Sequence, residues 1–205
     1  MSGREVTVQR QVKCEETNRS TEVREAALKL FYQYGYHAVS LRKLASELGL
    51  SAGSLYAHIE SKQELLFEII EGTHQARNFS IRRELKRARQ SNASLLEGFV
   101  RGAISHACRE RRHLLLSIRE RHSLSCEQQR CIEQLRQELT ILLNQALAAQ
   151  LRTLQAPASA IQVMTQSVLT TLDGFLHLPE QALSVERAVK VFAAMAKAAV
   201  AEILD

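Results

Sequence analysis

Between Ser51 and Ile59 only Leu55 and Ile59 have the character of inward-facing residues; Ala52, Gly53, Ser54, Tyr56, Ala57 and His58 are small or carry a hydrogen-bonding group. A helix of this make-up is too short to exist for packing alone. Its small face can sink into a groove about 12 Å wide, the width of the DNA major groove. Ser40 and Ser51 stand where each can cap a helix and also donate to a phosphate. Arg42 can take a guanine through two parallel hydrogen bonds, whereas the Tyr56 hydroxyl and the Lys62 ammonium position a protein on DNA without reading its sequence. Tyr56 also suits the flank of a core, and His58 and Lys43 suit a solvated surface.

Two other groups of reactive side chains are present. His106, Glu110 and His113 are spaced i, i+4, i+7, a pattern that could ligate a metal on one helical face. They also fall at a helix junction among arginines, and neither metal nor cofactor is expected. Cys126 and Cys131 are five apart, which does not align them on one helical face, although Cys126 lies near a helix start where a thiolate is favoured. A redox role for them stays open. No Gly-rich phosphate loop, nucleophile motif or paired-carboxylate signature occurs, so no enzyme is expected.

The elements that must position these residues read as helices throughout. The chain has 205 residues, 45% of them hydrophobic, with 2 Pro and 8 Gly, and long stretches are rich in Ala, Leu, Glu, Gln and Arg. Residues 1–19 lack apolar periodicity and are expected to be a flexible basic arm. Ser20 or Thr21 can cap a first helix carrying Val23, Ala27, Leu30 and Phe31, which Gly35 stops. Ser40 caps a second helix with Leu41, Leu44, Ala45 and Leu48 inward, and Gly49 ends it. Ser51 caps a third through His58 or Ile59. Ser61-Lys62-Gln63-Glu64 is a capping box opening a fourth, which runs into the 70s or 80s and becomes strongly basic at Arg82–Arg89. Further helices are expected over about 93–108, 110–122, 125–153, 159–177 and 184–204, for about nine in all. The resulting fold class is all-α: a three-helix head over 20–66, then a helical body over 67–205.

Charge divides the same way. Residues 1–122 hold 21 Lys/Arg against 14 Asp/Glu, and residues 123–205 hold 6 against 8, so the front of the chain suits a polyanion. No apolar run is long enough for a membrane span, no apolar leader segment opens the chain, and the four cysteines are scattered. A cytoplasmic protein with reduced thiols is expected.

Leu48-Gly49-Leu50-Ser51 supplies the tight turn that a helix-turn-helix needs. Around it the sequence resembles the tetracycline-repressor (TetR) family of transcriptional regulators. The resemblance runs through Ala27-Leu28-x-Leu30-Phe31, Gly35-Tyr36, Ser40-Leu41-Arg42-Lys43-Leu44-Ala45, Leu48 to Ile59 and Ser61 to Leu66, and covers about residues 21–70. Ile59 stands where the family often has Phe, and Leu41 where Thr or Ser is frequent, which puts one phosphate contact in doubt. The resemblance implies that Arg42 reaches a guanine or a phosphate and that Ala52, Gly53 and Ser54 face base edges. It implies phosphate contacts for Tyr56, His58 and Lys62, with Ser40 and Ser51 beside them.

For the body, the resemblance implies a ligand-binding domain that dimerises through its last two helices on a palindromic double-stranded operator, released by a small-molecule effector. Ser167, Thr171 and Gly174 in one of those helices, and Ala188, Ala196 and Ala199 in the other, are small enough for close approach. Candidate pocket residues are Phe99, Ala103, His106, Leu139, Met164, Val168 and Phe175, with His106, His122 and Asp173 as polar contacts. All of them also fit a plain core. An apolar pocket of this kind suits a hydrophobic or amphipathic effector. A repressor is the expected reading; a ligand-independent DNA binder is the alternative.

Overall fold

The structure, a computed structural model, describes residues 3–151, 158–179 and 184–202. Among them are nine α-helices and one 3-10 turn, with no strand. The first helix, α1, spans Gly3–Tyr34. Residues 3–19, expected as an arm, therefore form the front of α1. Between Arg4 and Tyr34 there is neither Pro nor Gly, so nothing in that stretch stops a helix before Gly35. The Gly35 amide donates to the Phe31 carbonyl at 2.9 Å and closes the last turn.

Helices α2 (Leu41–Glu47) and α3 (Ala52–Tyr56) form the helix-turn-helix. Ser40 and Ser51 cap them as expected, accepting from the Lys43 and Ser54 amides at 3.1 and 3.0 Å. Between them the Leu50 amide donates to the Ala45 carbonyl at 2.8 Å and the Gly49 amide to Ser46 at 3.2 Å. That pair is a Schellman turn, and it needs a left-handed residue at its centre; Gly49 supplies it at φ +65°. Helix α3 ends at Tyr56, so His58 and Ile59 lie just beyond it rather than in it.

Helix α4 (Lys62–Gln90) runs unbroken through the boundary expected at residue 66. Helices α5 (Leu95–Arg109), α6 (Arg111–Glu120), the turn η1 (Arg121–Ser123) and α7 (Cys126–Leu151) follow, then α8 (Ala158–Phe175) and α9 (Val185–Glu202). Ser61 caps α4 by accepting from the Glu64 amide at 2.9 Å. The Glu64 carboxylate does not complete the expected box; it accepts from Gln128 of α7 at 3.0 Å. The reciprocal box forms instead at α7, where Ser125 Oγ accepts from the Gln128 amide (3.2 Å) and Gln128 Oε1 from the Ser125 amide (3.1 Å).

Two apolar cores share α4. One holds Val23, Leu30, Phe31, Leu44, Leu55, Leu66 and Ile70 and recruits Leu116, Leu124 and Ile132 from the body. The other begins at Ile81 and takes in Phe99, Leu139, Leu143, Phe175 and Phe192. The stretch of α4 between them buries polar side chains, Thr73, His74 and Asn78. Close approach of α5 to α4 depends on Gly102, where a Cβ would stand 2.6 Å from the Ile81 Cα. No helix among the described residues is long and apolar enough to cross a membrane.

Candidate nucleic-acid interface and effector cavity

The caps and the Gly49 turn fix α2 and α3 with most of their polar side chains exposed. Arg42, Ser40, Ser51, Ala52, Gly53 and Ser54 are all exposed there, and Tyr56 is 57% exposed. Leu55 alone anchors α3 inward, fully buried. The Ser51 and Ser54 hydroxyls lie 2.9 Å apart, so Ser54 must exchange this bond to meet a base. Lys43 covers the Tyr34 ring at 3.4 Å. His58 is half-buried.

Lys62 differs from the other candidates. Its ammonium sits 4.2 Å over the ring of Tyr36, and burial lowers its pKa while the Glu120 carboxylate opposes that shift. Lys62 thus has an intramolecular seat that competes with a phosphate.

That seat belongs to a polar junction joining head to body. The Glu120 carboxylate, itself buried, accepts from the Tyr36 amide (3.2 Å), Arg119 Nε (2.9 Å) and Ser123 Oγ (3.2 Å). The Arg119 guanidinium also donates to the Tyr32 carbonyl at 3.0 Å and to that of Phe31. Both carbonyls belong to the last turn of α1, Phe31 accepting from the Gly35 amide as well, so a body residue caps a head helix. Gln63 and Glu64 meet Gln128 nearby. His122, expected at the pocket, is exposed on η1 beside this junction instead.

In the body a cleft lies between α4, α5, α7 and α8, with about 30 Å³ of free space. Four expected residues line it: Phe99, Ala103, Leu139 and Asp173. The others serve elsewhere. Met164 is fully buried in the core, Val168 lines a separate hollow against α9, and Phe175 packs edge-to-face on Phe192 at 5.5 Å. His106 lines a groove of about 490 Å³ between α1 and the α4–α6 surface. Burial pushes its pKa down to about 4, with Arg77 adding to the shift, so the ring is neutral at pH 7. The charged cleft residue that was not anticipated is Arg77. It occupies the inward row of α4, His74–Arg77–Ile81, where a charge on an apolar stripe is the available sequence signal.

His106, Glu110 and His113 do not form a metal site: no cluster of three ligating side chains occurs among the described residues. Glu110 sits between α5 and α6, so the spacing does not continue along one helix, and its carboxylate pairs with His113 at 2.9 Å. Cys126 and Cys131 are free thiols on α7.

Comparison with known proteins shows what the head and the fold are similar to. Residues 23–69 match the family described as "Bacterial regulatory proteins, tetR family". A curated relative, the HTH-type transcriptional repressor KstR2 of Rhodococcus jostii (strain RHA1), is 38% identical over 56 residues, covering 27% of this chain and 28% of that protein. The chain thus spans just over a quarter of the length of the curated relatives it matches, and the likeness lies in the head. Over most of the chain the fold is similar to PfmR of Thermus thermophilus, a TetR-family regulator (TM-score 0.72, 24% identity, 89% of this chain and 96% of that one). It is also similar to AibR, solved in complex with isovaleryl coenzyme A and operator DNA (TM-score 0.71, 22% identity, 86% and 97%). Residues 23–69 thus match the TetR family model, and the fold over most of the chain is similar to that of solved TetR-family regulators.

Proposed function

We propose that the protein is a sequence-specific transcriptional regulator, a repressor that leaves a palindromic operator when a small amphipathic ligand occupies the body. The observation that carries this reading is the exposed face of Arg42, Ala52, Gly53, Ser54 and Tyr56 on a capped helix-turn-helix. Arg42 reads a base edge, the Ala52–Ser54 surface fits the groove floor, and Tyr56 and His58 bind backbone phosphates. AibR, bound to an acyl coenzyme A and to DNA in this fold, gives the ligand-responsive reading a precedent. A short recognition helix reads few base pairs, so two copies are needed. Val163 on α8 and Val191 and Met195 on α9 are exposed apolar side chains that support a homodimer through these helices. Ser167 and Gly174 fit the same face; Ala188 and Ala196 do not, because both are buried in the chain's own core, and the side chain of Ala199 lies outside the described residues.

Release requires that the ligand favour a head spacing that DNA does not accept, since a ligand shifts an equilibrium only by its differential affinity. The Glu120–Arg119–Tyr36 junction is the physical link through which body and head move together. We assign no catalytic activity to the chain and place its action on chromosomal DNA in the cytoplasm. Selecting bound duplexes from a random pool tests the reading: a palindrome with half-sites about one or a few helical turns apart is expected. Enrichment of no sequence overturns it. The narrowness of the cleft favours a second reading, a DNA binder that needs no ligand. A body that binds no small molecule while the head binds its operator would establish it.

A further inference from the structure

The inward row of α4 places a guanidinium between an apolar cleft and a polar hollow that also holds Arg136, Glu133 and Asp173. Arg77 Nη2 donates to His74 Nδ1 at 3.0 Å, which makes Nδ1 the acceptor. His74 Nε2–H then donates to Ser117 Oγ at 2.8 Å. Burial pushes the His74 pKa down to about 3, and the nearby cations Arg77 and Arg136 deepen the shift. The imidazole is neutral, and its bond leaves the guanidinium charge uncompensated. Arg77 Nε is enclosed without a hydrogen-bond partner. Burial lowers the guanidinium to about 10, so it stays charged at pH 7. Asp173 is the carboxylate whose field it feels, yet no ion pair joins the two among the described residues. Arg136 is turned to Glu133 at 3.9 Å.

Two hollows meet at this side chain, sharing Arg77, Leu139, Leu169 and Asp173. The inner one is the apolar cleft behind Phe99 and Ala103. The outer one, about 160 Å³, is lined by polar groups of α7 and α8, including Thr140 and Gln166. An arginine at the border of an apolar and a polar chamber, with an enclosed donor and no ion-pair partner, lacks a planar anion. We propose that the body binds an amphipathic monoanion, a carboxylate with a short apolar tail, its head on Arg77 in the outer chamber and its tail in the inner cleft. This rests on the ligand-responsive reading above and names the ligand class for it. A neutral amphiphile leaves the buried cation unmatched, and an organic cation is repelled by it. In the outer chamber Arg136 is offset by Glu133, 3.9 Å away, and Asp173 beside Arg77 disfavours a dianion. The free inner space holds about one methyl-sized group, so a tail enters by displacing Leu169 and Leu172, both only partly buried.

The experiment titrates the full-length protein with octanoate, octanol, octylammonium and acetate by calorimetry and thermal shift. Octanoate is expected to bind about tenfold or more tightly than octanol, the size of a charge-assisted hydrogen bond. Octylammonium and acetate are expected not to bind. Arg77→Gln should erase the preference for octanoate over octanol. Asp173→Asn, an exposed change that spares the fold, should strengthen octanoate severalfold and gives the readout if Arg77→Gln fails to fold. Ala103→Phe, filling the cleft, should abolish octanoate binding. Absent octanoate binding, equal affinity for octanoate and octanol, or octanoate affinity unmoved in Ala103→Phe overturns the proposal; so does unmoved affinity in both charge variants. A gel shift on selected DNA separates the two levels. A protein that binds DNA but not octanoate loses the ligand class and keeps the regulator reading. One that selects no DNA loses the latter.

Discussion

Arg42 and Arg119 show how one residue type serves two ends. Arg42 is exposed on the free face of α2, where a guanidinium can pair with a guanine. Replacing it with Ala should weaken operator binding by about 1–3 kcal/mol and relax specificity at the base it reads. Equal losses on operator and random DNA in a fluorescence-anisotropy titration would remove that role. Arg119 faces the other way and holds the last carbonyls of α1. Arg119→Ala takes a donor from the Tyr32 carbonyl and one from the Glu120 carboxylate, while the Phe31 carbonyl keeps the Gly35 amide, for a loss of about 1–3 kcal/mol in urea denaturation. For Lys62, whose ammonium rests on Tyr36, substitution by Ala is expected to lower thermal stability and leave the salt slope of DNA binding nearly unchanged.

At the scale of elements, α4 carries the molecule. It leaves the head, crosses a buried polar segment and enters the body core, so a displacement at one end is felt at the other. Its pairing with α5 depends on Gly102. A Cβ there meets the Ile81 backbone, which cannot rotate aside, so Gly102→Ala should destabilise despite Ala being the better helix former. A loss of about 2 kcal/mol is expected, lowering the melting temperature by roughly 4–8 °C. The polar segment of α4, together with His106 of α5, carries a pH dependence. His74 and His106 are buried neutral, with pKa near 3 and 4, below the ordinary imidazole value. The unfolded chain takes up their protons first as pH falls through about 6.5, so their contribution to stability is complete above that pH and is lost on the way down towards pH 4. Denaturation at pH 7.5 and pH 5 should differ by about 2 kcal/mol for each histidine, and His74→Gln should remove its share.

For the whole molecule, the exposed Val163 of α8 and Val191 and Met195 of α9, with the short α3 of the proposed interface, argue for two copies acting together. Sedimentation at micromolar concentration is expected to return a dimer. Met195→Glu on the exposed face of α9 should shift it towards monomer and weaken operator binding by more than any single phosphate contact, because under the proposed function a lone head would read only a half-site. A monomeric wild-type protein would remove the palindrome from the proposal.

The head was legible because its signals are local. Ser40, Gly49, Ser51 and Ser61 act within a few residues of themselves, and their caps and turn appear where chain order places them. The helical class followed from periodicity for the same reason. Longer-range matters were decided by tertiary packing. Whether Glu64 turns back on its own helix or out to Gln128 depends on α7 lying alongside, and whether Lys62 faces DNA or Tyr36 depends on η1 and Glu120. Arg77 stood in a basic-looking helix, and only the packing of α5, α7 and α8 around it enclosed it beside an apolar cleft. By itself the sequence determined which segments are helices and where they are capped, since those energies arise within a turn or two. The tertiary structure alone decided which polar groups lost their water, because burial is a property of what comes to lie beside a residue and not of its neighbours in the chain.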